Sequence, residues 1–196
     1  MKNKVLNILK YTAATLGGLL IVVFFVRLPA VLNQRKTDAA VIKIHNTKLI
    51  LDDVLGKNLP PDPGADADKT LAGIDANNNG IRDDVELAIF KQYPNSGKTR
   101  AVLLQYAIAL QLETIDPLNE ITATAIAEED SRAYACIGEI VPRSNSDLKE
   151  IDAYQKIVEA LQLNTQPRKD QKTKFEEDVR SFELKSGCDI DLKSLN

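Results

Sequence analysis

Between Asp75 and Glu86 the chain sets oxygen-bearing side chains at Asp75, Asn77, Asn79, Asp83 and Glu86, with Gly80 in the sixth of twelve places. The types and the spacing suit one task, the wrapping of a hard divalent cation. Calcium takes about 6–8 oxygen ligands at roughly 2.3–2.6 Å and tolerates irregular geometry. In a tight loop alternate side chains point inward, so Asp75, Asn77 and Asn79 can supply three oxygens. Gly80 permits the sharp turn that follows. The carbonyl of Ile81 adds an oxygen, and Asp83 adds one directly or through water. Glu86 falls in the first turn of the helix expected next, where both its carboxylate oxygens can close the shell. The asparagines keep the oxygen and remove charge, which predicts weak affinity, on the order of 10⁻⁴–10⁻³ M. A calcium ion held this way acts as a structural staple. The competing reading is an Asx-rich turn in which Asp83 or Asp84 caps the helix. Capping alone does not ask for Asp75, Asn77 and Glu86 at these offsets.

Numbered from Asp75, the residues match the EF-hand loop template, D-x-[DN]-x-[DN]-G followed by five residues and Glu. Position 8, apolar in paired loops, is Arg82, and the apolar Ile81 stands one place early. The chain has no second such loop. Prolines precede the first, so the incoming helix is expected to be missing or very short. The loop therefore resembles the single calcium loops of bacterial extracytoplasmic proteins, in the style of dockerin or thrombospondin repeats. The longer run "NLPPDPG…LAGIDANNNGIRDDVELAIF", residues 58–90, also resembles a group of bacterial envelope proteins. That likeness implies a calcium loop and no activity.

Other clusters carry less chemistry. Glu128, Glu129 and Asp130 could serve a hydrolase as acid and base. That alternative needs a concave pocket with paired carboxylates in unlike surroundings; otherwise the run is a solvated helix face. "SGKT", Ser96–Thr99, ends like a phosphate-binding loop, but Gln92 stands where the first glycine belongs and no apolar strand precedes it. It reads as a helix start, which leaves no nucleotide site. Asp62, Asp66 and Asp68 could extend the metal site but read as solvated linker acids, and the single histidine, His45, reads as a surface or packing residue. The net charge of −3, from 25 basic and 28 acidic residues, argues against a nucleic-acid surface. The two cysteines, Cys136 and Cys188, are expected to pair if the body lies in an oxidising compartment.

These residues need elements to position them. Tyr11–Val26 is an uncharged, mostly apolar run bracketed by Lys10 and Arg27, with apolar residues continuing on both sides. With its flanks it is long enough to cross a membrane. The alternative is a signal peptide cut near Ala30, which would free a secreted soluble binding protein; Leu28 stands where such a site wants a small residue. Residues 1–32 are thus read as anchor or signal peptide. Residues 33–72 form a juxtamembrane segment and a Pro-rich linker, "LPPDPGADADKT", with "DAAVIKIH" as a candidate short helix. Residues 73–196 form an all-α domain that opens with the calcium loop, 75–86, and continues as four or five helices. "KTRAVLLQYAIALQLETI" is apolar nearly all round and belongs at the centre. Pro117 suits the first turn of the next helix, and Pro142 and Pro167 separate later units. Phe175, Val179 and Phe182 share a face of a last helix, which Gly187 is expected to end. The whole predicts a single-pass protein of the bacterial inner membrane with its body in the periplasm, there to meet an envelope partner.

Overall fold

The computed structural model describes residues 2–115, 119–141 and 147–195, and all regular structure among them is helical. The chain divides into two units, Met1–Ala40 and Val41–Asn196. Helix α1 spans Lys2–Asn46 and carries Pro29 within it. The stretch "DAAVIKIH" is therefore the end of α1 and not a separate short helix. No glycine or proline lies between Pro29 and Asn46 to break it. The helix stops where Thr47 turns back, its N–H donating to the Lys43 carbonyl and its Oγ1 to the same oxygen. From Leu9 onward α1 is long and apolar enough to cross a membrane. Its Leu19, Leu20, Phe24, Phe25 and Val26 side chains are all more than half exposed. Such a band is unfavourable in water and suits hydrocarbon.

In the second unit the helices are α2 (Leu51–Val54), α3 (Asp83–Gln92), α4 (Gly97–Thr114), α5 (Glu120–Gly138), α6 (Asp147–Gln162) and α7 (Gln166–Asp178). They form a bundle in which α2, α3, α5, α6 and α7 all contact α4. Fifteen of the 18 residues of α4 are buried, which requires neighbours on every side and accounts for its all-round apolar sequence. Ser96 starts it as a helix cap, its Oγ accepting from the Thr99 N–H. Asn119 caps α5 in the same way, accepting from Ile121 and Thr122. Helix α5 begins at Glu120; Pro117 and Pro142 lie outside the described residues. Pro167 sits in the first turn of α7, where its missing N–H costs nothing. The main core runs from Ile81, Val85 and Ile89 through α4 to Cys136 and Ile137. A second core joins Ile44 to Ala123, Ile126 and Phe175, with Val41 and Val179 packed against it.

The last expected helix is shorter than its apolar spacing implies. Helix α7 ends at Asp178, Val179 is extended, and Phe182 and Leu184 are exposed. The tail instead runs along α4 and α5, held by their side chains. Ser131 Oγ accepts from the Lys185 N–H, and Gln105 donates to the Gly187 carbonyl and accepts from the Asp189 N–H. These bonds satisfy main-chain groups that a helix would have paired internally. Gly187 (φ 111°) turns the tail, and Cys188 bonds to Cys136 near the end of α5. The disulfide therefore ties an extended tail, not a last helix, to α5.

Candidate functional site

Between α2 and Asp75 the chain forms no α-helix. Pro60, Pro61 and Pro63 lead into a single 3₁₀ turn at Gly64–Asp68, as prolines without N–H donors require. Asp75 then folds the loop over itself. Its Oδ1 accepts from the Asn79 N–H (3.1 Å) and its Oδ2 from the Gly80 N–H (2.9 Å). Asn78 (φ 57°) and Gly80 (φ 84°) take left-handed backbone, and a Cβ on Gly80 would meet Thr47 Cγ2 at 2.7 Å. Asn79 Oδ1 accepts from the Ile81 N–H, while Ile81 inserts fully into the main core and fixes the loop to the bundle. Both oxygens of Asp83 accept from the Ala76 N–H, and the Asp83 N–H donates to the Ile74 carbonyl, closing the loop across its base.

Glu86 is fully buried in the first turn of α3. Its Oε2 accepts from Asn77 Nδ2 (3.1 Å) and Asn79 Nδ2 (3.0 Å). The loop thus brings the Asn77 and Asn79 amides onto one oxygen of Glu86, with Asp75 and Asp83 engaged in holding the loop backbone. Burial pushes the Glu86 carboxyl up to about 7, against the two amide donors, with the Asp53 and Asp83 charges adding to the rise. Burial likewise raises Asp83. Two buried oxygens of this group have no hydrogen-bond partner, Asn77 Oδ1 and Glu86 Oε1. A buried acceptor without a donor costs about 1–3 kcal/mol, more when charged. Both belong to positions expected to face an ion. Among the described residues no three His, Cys, Asp or Glu side chains form a metal cluster; the loop's inward oxygens are partly amide, and its charge is low.

Comparison of the chain with family models, curated proteins and solved structures finds no match.

Around the loop stand residues whose roles the sequence does not announce. Arg82, at loop position 8, is fully buried. It forks onto both oxygens of Asp84 and donates to the Leu161 and Gln162 carbonyls at the end of α6. That is why an apolar residue is absent there: the position caps another helix, whose final carbonyls favour a cation. Gly73 (φ 67°) lies against the Arg82 stem, and any Cβ there would overlap Arg82 Cδ and Cγ. Arg168 of α7, also fully buried, donates to the Ala67, Thr70 and Leu71 carbonyls and pairs with Asp68. The Arg168 hydrogen bond, helped by Asn164, holds the Asp68 carboxyl below its usual range, so this linker acid is engaged and not simply solvated. On the other side of the loop Asp53 of α2 is 3% exposed. Its oxygens accept from the Ile50 N–H and Asn58 Nδ2, and the Asn58 carbonyl accepts from Asn77 Nδ2 (2.8 Å).

The acidic run of α5 is not a solvated face. Glu129 is buried, and His45 Nδ1, Lys48 Nζ and Arg132 all lie within 2.8 Å of its oxygens. Burial alone would raise this carboxyl; the three donors outweigh it and hold it low. Arg132 also pairs with Asp189, whose Oδ2 accepts from the Leu49 N–H, so one network joins the end of α1, α5 and the tail. His45 therefore has a partner, 84 residues away. Asp130 interacts electrostatically with a different pair, the buried Glu113 and the partly exposed Lys172, which form an ion pair (2.6 Å). Burial raises both Asp130 and Glu113, since one lysine is shared among several acids. Glu129 and Asp130 thus belong to different charge networks, and neither lines the clefts beside Lys98, Asn58 or Pro94.

Proposed function

We propose that this is a membrane-anchored, extracytoplasmic helical module stapled by one structural calcium ion. The observation that carries the reading is the pair of buried, unpartnered oxygens, Asn77 Oδ1 and Glu86 Oε1, at the third and twelfth loop positions. A calcium ion would remove that deficit, because hard cations bind carboxylate, amide and carbonyl oxygens. Asp75, Asn77, Asn79, the Ile81 carbonyl, Asp83 and Glu86 would hold it. Asp75 and Asp83 would do so with lone pairs left over from their main-chain bonds. The ion's work is mechanical: it fixes the linker side of the loop to the first turn of α3. The extracytoplasmic setting is supported by the long apolar α1 and by the Cys136–Cys188 disulfide, which calls for an oxidising compartment. An envelope protein is the expected partner of the body.

The test is thermal melting of the full chain in detergent, with calcium or chelator, alongside Asp75→Ala/Glu86→Ala. At free calcium near 100 times the dissociation constant the wild type gains about 2.7 kcal/mol, and the double variant gains nothing. No gain in the wild type refutes the calcium staple.

A further inference from the structure

The loop lacks the partner loop that steadies its paired relatives, yet one side of it is walled. The wall is the segment Ile50–Asn58, and its centre is Asp53. A helix of one turn needs only one oxygen for its cap, and an exposed Asn or Ser would serve. Here a carboxylate is used, and it is almost wholly buried. A buried carboxylate is unfavourable without a paired cation, and Asp53 and Glu86 are both buried. The cations near them are committed elsewhere: Lys48 to Glu129, Lys57 to Asp52 and Arg82 to Asp84. Asp53 also leads to the loop through an unbroken chain of bonds. Asn58 Nδ2 donates to Asp53 Oδ1, and the Asn58 carbonyl accepts from Asn77 Nδ2. That last bond orients the amide whose other end is the unpartnered Asn77 Oδ1. A single cleft is lined by Ile50, Asp53, Asn58, Asn77 and Asn79 together.

We propose that the cation site has two parts, the twelve-residue loop and the segment Ile50–Asn58, with Asp53 as the positioning carboxylate of the second part. Asp53 adds negative charge to the site and, through Asn58, aims Asn77 at the ion. Calcium binding then orders residues 50–58 as well as 75–86. The inference rests on the calcium reading above.

Two measurements test it. Calorimetric titration of the full chain in detergent with calcium chloride compares wild type, Asp53→Asn and Asp52→Asn. The last removes the same charge one residue away, from a side chain about half exposed and paired with Lys57. Asp53→Asn should bind about 10–100-fold more weakly, the usual loss when the support of a metal ligand is removed. Its melting temperature in chelator, measured alongside, separates lost affinity from lost stability, because Asp53 also accepts from Ile50 and Asn58, and Asp52→Asn should bind like wild type. Equal affinity in Asp53→Asn, or an equal loss in Asp52→Asn, overturns the two-part site and leaves the calcium reading standing. A wild type that takes up no calcium overturns both. Hydrogen exchange on the wild-type protein needs no variant and decides the case if Asp53→Asn does not fold. Calcium should slow amide exchange in residues 50–58 together with 75–86; protection confined to 75–86 refutes the second part.

Discussion

Raising the pH of calcium-free protein removes a proton from Glu86 in a place where its partners are two neutral amides and its charged neighbours are carboxylates. Its folded pKa of about 7 stands above the ordinary 4.5. A carboxyl raised in this way contributes stability that is fully present below the unfolded value and is lost as pH rises through the folded one. The gap of about 2.5 units, at about 1.36 kcal/mol per unit, puts the loss near 3 kcal/mol between about pH 4 and pH 8. Asp83, Glu113 and Asp130 are raised too and tilt the wild-type curve the same way. The clean measure is therefore a difference, wild type minus Glu86→Gln, in which their contributions cancel. Glutamine keeps the shape and an acceptor oxygen and cannot ionise. For a domain of this size about 3 kcal/mol corresponds to roughly 6–12 °C of melting temperature. In chelator, wild type should start above the variant at low pH, relative to their neutral-pH values, by about that amount. Adding calcium should flatten the wild-type curve, because the ion takes the ionised carboxylate, and leave the variant's curve as it was. A difference between the two proteins that does not change with pH would refute the burial argument for Glu86.

Gly73→Ala combines left-handed backbone with overlap on the Arg82 stem, and urea unfolding should show a loss of about 2–4 kcal/mol. Arg168→Met strips donors from the Ala67, Thr70 and Leu71 carbonyls. It should cost about 3 kcal/mol or more and open residues 59–72 to limited proteolysis in native buffer. Reducing the Cys136–Cys188 disulfide, which spans 52 residues, should lower stability by about 4 kcal/mol, read as the shift in urea midpoint with and without reductant. The chain expressed in bacteria should keep α1 and stay with the membrane fraction in alkaline carbonate; a mature protein beginning at Val31 and found in solution would contradict the anchor.

What the sequence made legible was local. The sharp turn at Gly80, Glu86 in the first turn of α3 and the all-round apolar α4 each follow from spacing within a few turns, and such spacing is visible in a string of letters. The Cys136–Cys188 bond followed from there being only two thiols. The misreadings were contests between local pattern and distant partners. Phe175, Val179 and Phe182 share a helical period, but Gln105 and Ser131 hold the following tail extended. Glu129 sits in a run of acids that resembles a wet helix face, yet His45 and Lys48 reach it across more than 80 residues. Arg168 finds its carbonyls about 100 residues upstream. "DAAVIKIH" reads as a short helix of its own, yet α1 continues through Pro29 to Asn46.

Arg82 has an implication for protein engineers. A twelve-residue loop of this pattern invites transplantation as a cassette. Here the eighth residue of the cassette is also the fastener of the corner between α6 and α7, through the Leu161 and Gln162 carbonyls. A consensus loop with isoleucine in that place could grip its ion well and still unbutton the far side of the molecule. Transplanting this loop elsewhere would likewise carry a guanidinium into a host that has no seat for it.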